Sequence, residues 1–160
     1  MSACGWHLRG QVDLPEDQRS VHLAISNNAR ELRHELERAF TLNGVELTSA
    51  DQAALLVSVS QLTEDRRVSS LGTDAVADSV SLSLLVTYSV ADRDGKVIIP
   101  RGPARVGRSF TYDRDNVTAK SLEEQTIRRE IQQELAQQIL RNIRYSLNKQ
   151  PAIPATNASE

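Results

Sequence analysis

Four stretches of the chain alternate hydrophobic and polar residues with a period of two, which is typical of strands that bury one face. The hydrophobic positions of these stretches are Val21, Leu23 and Ile25; Leu55, Val57 and Val59; Val80, Leu82, Leu84, Val86, Tyr88 and Val90; and Val106, Phe110 and Tyr112. The intervening positions of the third stretch are mostly serine and threonine, so we expect the opposite sheet face to be solvated or to meet a polar partner. Asp92-Arg93-Asp94-Gly95 predicts a hairpin turn before the fourth strand. The polar segment 66–78 predicts a long turn or frayed strand ends between the second and third strands.

Two further stretches have the period of an amphipathic helix, and the first follows the first strand. One face of this helix carries Leu32, Leu36, Ala39 and Phe40. Asn28 and Glu31 have the spacing of an N-terminal capping box. Asn43-Gly44 provides the residue types that end a helix in the left-handed conformation.

The second predicted helix is longer and lies near the end of the chain. A hydrophobic residue recurs there at every fourth position, at Ile127, Ile131, Leu135, Ile139 and Ile143. Ser121 and Glu124 have the spacing of another capping box, which predicts a helix over 122–147 with a length of roughly 40 Å. Glu124 is also placed to pair with Arg128 one turn later.

The predicted order of elements is therefore β-α-β-β-β-α. This order favours an α+β two-layer sandwich, in which two helices pack on one face of a four-stranded, mostly antiparallel sheet. We expect one such domain over 19–148, preceded by an extended arm over 1–18. The tail over 149–160 contains Pro151 and Pro154 and is predicted to be disordered.

Composition and motifs exclude several classes of protein. The net charge is -2 and the chain has six aromatic residues, so neither bulk charge nor base stacking favours nucleic-acid binding. No stretch approaches the roughly 20 apolar residues of a membrane-spanning helix. The chain lacks the G-x-S-x-G, Walker and G-x-G-x-x-G motifs, and His7, His22 and His34 lack metal-ligand spacing. We therefore predict that the protein is not an enzyme and uses neither a metal nor a cofactor.

The single cysteine, Cys4, excludes an intrachain disulfide. Met1-Ser2-Ala3-Cys4-Gly5 resembles the end of a bacterial lipoprotein signal, in which small residues precede a cysteine that is acylated after cleavage. Acyl chains on Cys4 would anchor the domain, because each buried methylene contributes about 0.8 kcal/mol. The alternative is an N-terminal thiol without an anchoring role.

Basic residues are concentrated around the fourth strand. Between 96 and 114 they are Lys96, Arg101, Arg105, Arg108 and Arg114, with Asp113 as the only acid. Arg108 shares the parity of the buried positions, so it is either a paired buried cation or a group held toward a ligand. Such a cluster can bind phosphates, or it can be a solvated edge that prevents strand-to-strand aggregation.

Several segments resemble the LptE family of lipopolysaccharide-assembly lipoproteins. Cys4-Gly5-Trp6-His7-Leu8-Arg9-Gly10 is similar to C-G-F-H-L-R-G, with which mature family members begin. The segment 106–113 resembles the arginine- and aromatic-rich fourth strand of the family, 116–125 its approach to the last helix, and 137–143 the end of that helix. These matches follow the family's order over most of 4–147, and the family's fold has the same order of elements.

The resemblance implies a function for the whole protein. It would be an outer-membrane lipoprotein of a Gram-negative cell, held on the periplasmic side by an acylated (palmitate-bearing) Cys4. It would occupy the LptD β-barrel as a plug and help to deliver lipopolysaccharide to the cell surface.

The resemblance also implies a set of lipopolysaccharide-binding residues. Lys120 matches a family lysine that lies just before the last helix. A second basic residue of the family lies in the loop between the second and third strands, where the alignment places residues 72–73 of this chain. Arg66 and Arg67 are the nearest basic residues to that loop, and Arg108 lies in the matched fourth strand.

Two other classes of function stay open at this point. One is a periplasmic lipoprotein that scaffolds or pilots another membrane complex without binding lipid. The other is a nucleic-acid-binding α+β module, whose affinity for nucleic acid would fall steeply with salt.

Overall fold

The computed structural model describes residues 14–71, 77–111 and 117–149. Within these ranges it contains five strands and two α-helices, which are β1 Ser20–Ile25, α1 Arg33–Leu42, β2 Glu46–Leu47, β3 Leu55–Leu71, β4 Ala77–Asp92, β5 Val97–Thr111 and α2 Val117–Lys149. Two short 3-10 segments, Glu16–Gln18 and Asn27–Leu32, precede β1 and α1.

The strands form one sheet in the order β2-β1-β3-β4-β5. β3, β4 and β5 are antiparallel neighbours, whereas β1 is parallel to both β2 and β3. The α+β class with two helices is confirmed, but the predicted four strands are too few and the two parallel pairs were not predicted. β2 is two residues long, which is too short to produce an alternating pattern. β1 and β2 are parallel because α1 carries the chain back to the end of the sheet at which β1 began.

The last three strands continue beyond the end of β1. β1 pairs with β3 only as far as Ile25 and Val59, whereas β3 pairs with β4 as far as Leu71 and Ala77. We call the part formed by 61–71, 77–87 and 103–111 the sheet extension. Its strands include residues 66–71 and 77–78, so of the two alternatives predicted for 66–78 the long turn is wrong over these residues, which are ends of strands.

A β-bulge explains why the sequence pattern did not show this extension. The register of β3 shifts between Val59 and Gln61, after which Glu64 lies opposite Leu84 and Arg66 opposite Leu82. Because directly paired residues share a face of the sheet, these charged side chains lie on the same face as buried leucines. Alternation of hydrophobic and polar residues therefore ends at the bulge although the strand continues.

Both helices pack on one face of the sheet and complete a single core. The predicted inner positions of α1, which are Leu32, Leu36, Ala39 and Phe40, are all buried, and so are Val80, Leu82, Leu84, Val86, Tyr88 and Val90 of β4. The left-handed stop is confirmed, since Gly44 has φ +73°. The predicted Asn28 cap is wrong, because the chain forms a 3-10 segment first and α1 begins at Arg33.

α2 is longer than predicted. It has 33 residues, which corresponds to roughly 50 Å. The positions Ile131, Leu135, Ile139 and Ile143 are buried as predicted. Because α2 begins at Val117, Ser121 lies inside the helix and the predicted cap at that residue is wrong. Asn142 donates a hydrogen bond of 3.0 Å to the hydroxyl of the buried Tyr88 and so ties α2 to the sheet.

The segment before β1 packs against the domain where the structure describes it. Leu14 is only 2% exposed, and its carbonyl accepts a hydrogen bond of 3.0 Å from Nε of Arg19. This part of the predicted arm is therefore folded, while residues 1–13, with Cys4, lie outside the described residues. The predicted tail after Lys149 lies outside them too. In the described ranges, neither helix combines the length and apolar character that crossing a membrane requires.

Candidate anion-binding surfaces

The four predicted binding residues lie on three different surfaces. Arg66 and Arg108 occupy the helix-covered face, because both pair with Leu82, which is fully buried. The two arginines form one row across β3, β4 and β5, about 10 Å apart at the backbone. Arg67 follows Arg66 and therefore lies on the open face. Lys120 lies in the first turn of α2, and its side chain is outside the described part of the structure.

On one flank of α2, an ion-pair network joins the helix to β3. Arg128 donates two hydrogen bonds of 2.8 Å to the carboxylate of Glu64 and lies 3.6 Å from Glu124, which confirms the predicted Glu124–Arg128 pair. Nε of Arg66 lies 3.5 Å from Oε2 of Glu124. The hydrogen bonds from Arg128 lower the pKa of Glu64 below its ordinary value, and those with Glu64 raise the pKa of Arg128. On this flank, therefore, two arginines and two glutamates contact one another in alternation of charge.

On the opposite flank, α2 is joined to β5. Arg108 donates a hydrogen bond of 3.0 Å to Glu134 and lies 3.7 Å from Glu130. Its side chain is 48% exposed, so it is a paired cation at the margin of the core rather than a buried one. A groove of about 510 Å³ between α1 and α2 opens beside it, with Arg38 and Arg141 balanced by Glu35 and the two glutamates.

The open face of the sheet extension carries a separate group of charges. Asp65 accepts a hydrogen bond of 3.1 Å from Nε of Arg67, and its Oδ2 lies 2.7 Å from Nη2 of that residue. Nη2 of Arg105 approaches the same Oδ2 at 3.6 Å and donates a hydrogen bond of 2.9 Å to Ser83. Asp65 raises the pKa of Arg67. Two guanidinium groups therefore meet one carboxylate on this face.

Sequence reasoning placed Arg105 in the basic run but did not single it out. Two signals identify it. Arg105 and Arg108 have opposite parity on β5, so they cannot share a face. Gly107 lies beside Ser83, and a Cβ there would come within 2.8 Å of the serine Cβ. Because Gly107 has no side chain, the surface of the sheet is lower at this position, and we call Ser81, Ser83 and Gly107 the floor of the site. A glycine inside a strand can indicate such a position.

Across 14–71, 77–111 and 117–149 there is no group of three or more histidine, cysteine, aspartate or glutamate side chains that could hold a metal ion. Tyr112, Arg114 and the 72–73 segment, on which parts of the sequence argument rest, lie outside those ranges.

The chain is also similar in sequence to proteins of a known family. The chain matches the model of the LptE family, described as lipopolysaccharide-assembly, over residues 18–143. It is 26% identical over 143 residues to the LPS-assembly lipoprotein LptE of Photorhabdus laumondii, which covers 89% of this chain and 78% of that protein.

Solved structures agree with this match. A minor lipoprotein of Acinetobacter baumannii is similar with a TM-score of 0.65 and 28% identity, over 80% of this chain and 92% of that one. The rare lipoprotein B of Shewanella oneidensis shares the fold with a TM-score of 0.69 at 20% identity, over 79% of this chain and 95% of that one. The chain therefore belongs to the LptE family, a family of non-enzymatic lipopolysaccharide-assembly lipoproteins.

Proposed function

We propose that the protein is an outer-membrane lipoprotein that plugs the LptD β-barrel and binds lipopolysaccharide during its assembly at the cell surface. The observation that carries the proposal is the family match over 18–143, which spans all the described elements from β1 to most of α2. Cys4 would carry the acyl anchor on the periplasmic side of the membrane. Lys120, Arg66, Arg67 and Arg108 would contact the anionic groups of the ligand.

The arrangement of these cations supports lipid binding at the sheet extension. Arg66 and Arg108 lie in one row, on either side of α2, and Lys120 lies one helical turn before the Glu124 that contacts Arg66. The arginine side chains are 41% and 48% exposed, so each can exchange a carboxylate partner for a phosphate oxygen without unfolding. Arginine favours that exchange because its planar fork matches phosphate oxygens.

The open face of the sheet supports the plug role. Its β4 residues are serine and threonine at Ser81, Ser83, Thr87 and Ser89, with Leu85 as the exception. Away from Arg67 and Arg105, such hydroxyl side chains would meet the polar interior of a barrel without burying apolar surface against water. A sheet with one core face and one polar face is suited to such a lumen.

Co-expression with the cognate LptD barrel tests the plug role. Affinity purification of the acylated chain in detergent is expected to recover a stable one-to-one complex. With a well-folded barrel, failure to recover that complex would reduce the proposal to a lipoprotein that scaffolds or pilots a different membrane complex.

Charge reversal at Lys120 tests the lipid contact independently. Within the LptD complex, Lys120→Asp is expected to weaken lipopolysaccharide binding at least about tenfold, since a favourable charged contact becomes repulsive. Arg144→Asp, at an exposed position near the other end of α2, is the matched control and is expected to bind normally. Equal binding by both variants would leave a plug that does not use Lys120.

A further inference from the structure

We propose that the open face of the sheet extension holds a phosphate-binding site formed by Arg67 and Arg105 over a floor of Ser81, Ser83 and Gly107. The proposal deepens the proposed function, on which it rests for its ligand: a phosphate group carried by the lipid A or inner-sugar region of lipopolysaccharide. It adds Arg105 to the binding residues and distinguishes Arg67 from Arg66 and Arg108.

The geometry brings the two arginines toward one point. Arg67 lies on β3 opposite Ser81, and Arg105 lies on β5 opposite Leu85, so the two approach Ser83 from diagonal positions. Both place a guanidinium nitrogen within 4 Å of the same oxygen, Oδ2 of Asp65, at 2.7 and 3.6 Å. An oxygen-bearing anion at that position would contact both side chains at once.

The floor between them is low and carries a hydrogen-bond donor. Asp65, Ser83 and Gly107 form one row across the three strands, and Arg67, Ser81 and Ser109 form the next. Gly107 contributes no side chain, and a Cβ at this position would come within 2.8 Å of the Ser83 Cβ. Ser81 is partly exposed, and its hydroxyl can donate to an anion, whereas Ser83 is buried and accepts the hydrogen bond that positions the Arg105 guanidinium.

Charge balance selects this face over the helix-covered face. On the flanks of α2, the three arginines Arg66, Arg108 and Arg128 contact the four glutamates Glu64, Glu124, Glu130 and Glu134. Among the side chains described on the open face of the extension, Asp65 is the single carboxylate and Arg67 and Arg105 are the cations. On the flanks of α2 the arginines are therefore offset by at least as many carboxylates, whereas on the open face two described cations share one carboxylate.

Exposure is consistent with binding from solution. The Arg67 and Arg105 side chains are 74% and 57% exposed. Asp65 occupies the position that we assign to the anion, so it acts as an internal competitor. This leads to opposite expectations for two substitutions on the same site, a pattern that a merely structural cluster does not produce.

Titration of the folded chain with inorganic phosphate, followed by backbone amide NMR, tests the site itself. We expect the largest shifts at Ser81, Ser83 and Gly107. Arg105→Gln removes an attractive charge and is expected to weaken the affinity about fivefold. Asp65→Asn removes a repulsive charge and is expected to strengthen it about fivefold. Each factor corresponds to one unit charge at about 4 Å in water. Arg144→Gln, an exposed arginine on α2, is expected to leave the affinity unchanged.

Titration with purified lipopolysaccharide, intact and enzymatically dephosphorylated, then tests the ligand. Intact lipopolysaccharide is expected to shift the same amide signals in the wild type and to shift them less in Arg105→Gln. The dephosphorylated form is expected to produce no such shifts.

Unchanged phosphate affinity in both Arg105→Gln and Asp65→Asn would overturn the site. Shifts with inorganic phosphate but none with lipopolysaccharide would overturn the lipid assignment. If wild-type lipopolysaccharide binding is absent by every measurement, the proposed function fails, whereas the phosphate titration still decides the site.

Discussion

The two faces of the sheet extension use the same residue types in different ways. On the helix-covered face, Arg66 and Arg108 meet carboxylates that α2 holds in place, so their charges close the flanks of a buried interface. On the open face, no helix or strand of the described residues covers Arg67 and Arg105, which share one aspartate. The comparison shows that the layer next to an arginine, rather than its place in the sequence, decides how many carboxylates a ligand must displace to reach it.

The largest expected effect sharpens this comparison at neighbouring positions of β4. Leu82→Ala removes a fully buried side chain between Arg66 and Arg108 and is expected to lower the free energy of unfolding by about 2–5 kcal/mol. Ser81→Ala, one residue away on the open face, is expected to change it by less than about 0.5 kcal/mol. Chemical denaturation measures both. Similar losses in the two variants would mean that the open face is packed in the free protein.

The sequence predicted the core of this fold because its periodic patterns reflect burial directly. Val80 to Val90 of β4 and the stripe from Ile131 to Ile143 of α2 are buried as predicted. The β3 part of the extension was missed because the bulge after Val59 places Glu64 and Arg66 on the core face, where side chains of α2 neutralise them. In the sequence alone, charged residues at inner strand positions resemble a polar turn. Their ion-pair partners lie far along the chain, on α2, and can be identified only in the folded structure.

The candidate site was predictable in composition but not in arrangement. The sequence identified a surplus of arginine near β5, and parity separates Arg105 from Arg108 on that strand. Arg66 and Arg67 are consecutive, so they lie on opposite faces of any strand that contains them, but the sequence did not predict that strand. Which of the two lies on the helix-covered face depends on the register of β3 against β4, which the bulge determines.

A smaller effect is expected at Gly107, where β5 lies close to Ser83 of β4 on the open face. Gly107→Ala would bring its Cβ within 2.8 Å of the Cβ of Ser83 and 3.2 Å of the carbonyl of Leu82, so the variant is expected to lose about 1–3 kcal/mol of stability. Thermal unfolding measures the loss. Adding Ser83→Gly removes the opposing Cβ and should recover part of it, giving a non-additive double-mutant cycle. Full additivity would show that the serine Cβ is not what resists the alanine.

The next smaller loss of stability is expected at the ion pair between Arg128 of α2 and Glu64 of β3. Glu64→Gln is expected to lower stability at neutral pH by about 1 kcal/mol or less, because the pair with Arg128 is partly solvated. The pKa of Glu64 is lowered in the folded protein, so its contribution is present above the ordinary glutamate value of 4.5 and is lost as the pH falls through the lower folded value. Denaturant unfolding from pH 7 to pH 3 should therefore show the two curves converging below about pH 4.5. A difference that does not begin to shrink as the pH falls below 4.5 would assign the loss to packing instead.

The smallest expected effect is on the open face, and it is the most direct test of the difference between the two faces of the sheet extension. Arg105→Gln is expected to change the free energy of unfolding by no more than about 0.5 kcal/mol, because its contacts with Asp65 and Ser83 are largely solvated. Arg128→Gln, which leaves Glu64 without its bidentate partner, is expected to cost more. Both values come from the same denaturation series. If Arg105→Gln is the more destabilising variant, Arg105 is a structural cation like those on the flanks of α2, and the open face has no surplus charge for a ligand. If it is neutral, the loss of anion binding in that variant can be assigned to the missing guanidinium rather than to a disturbed fold.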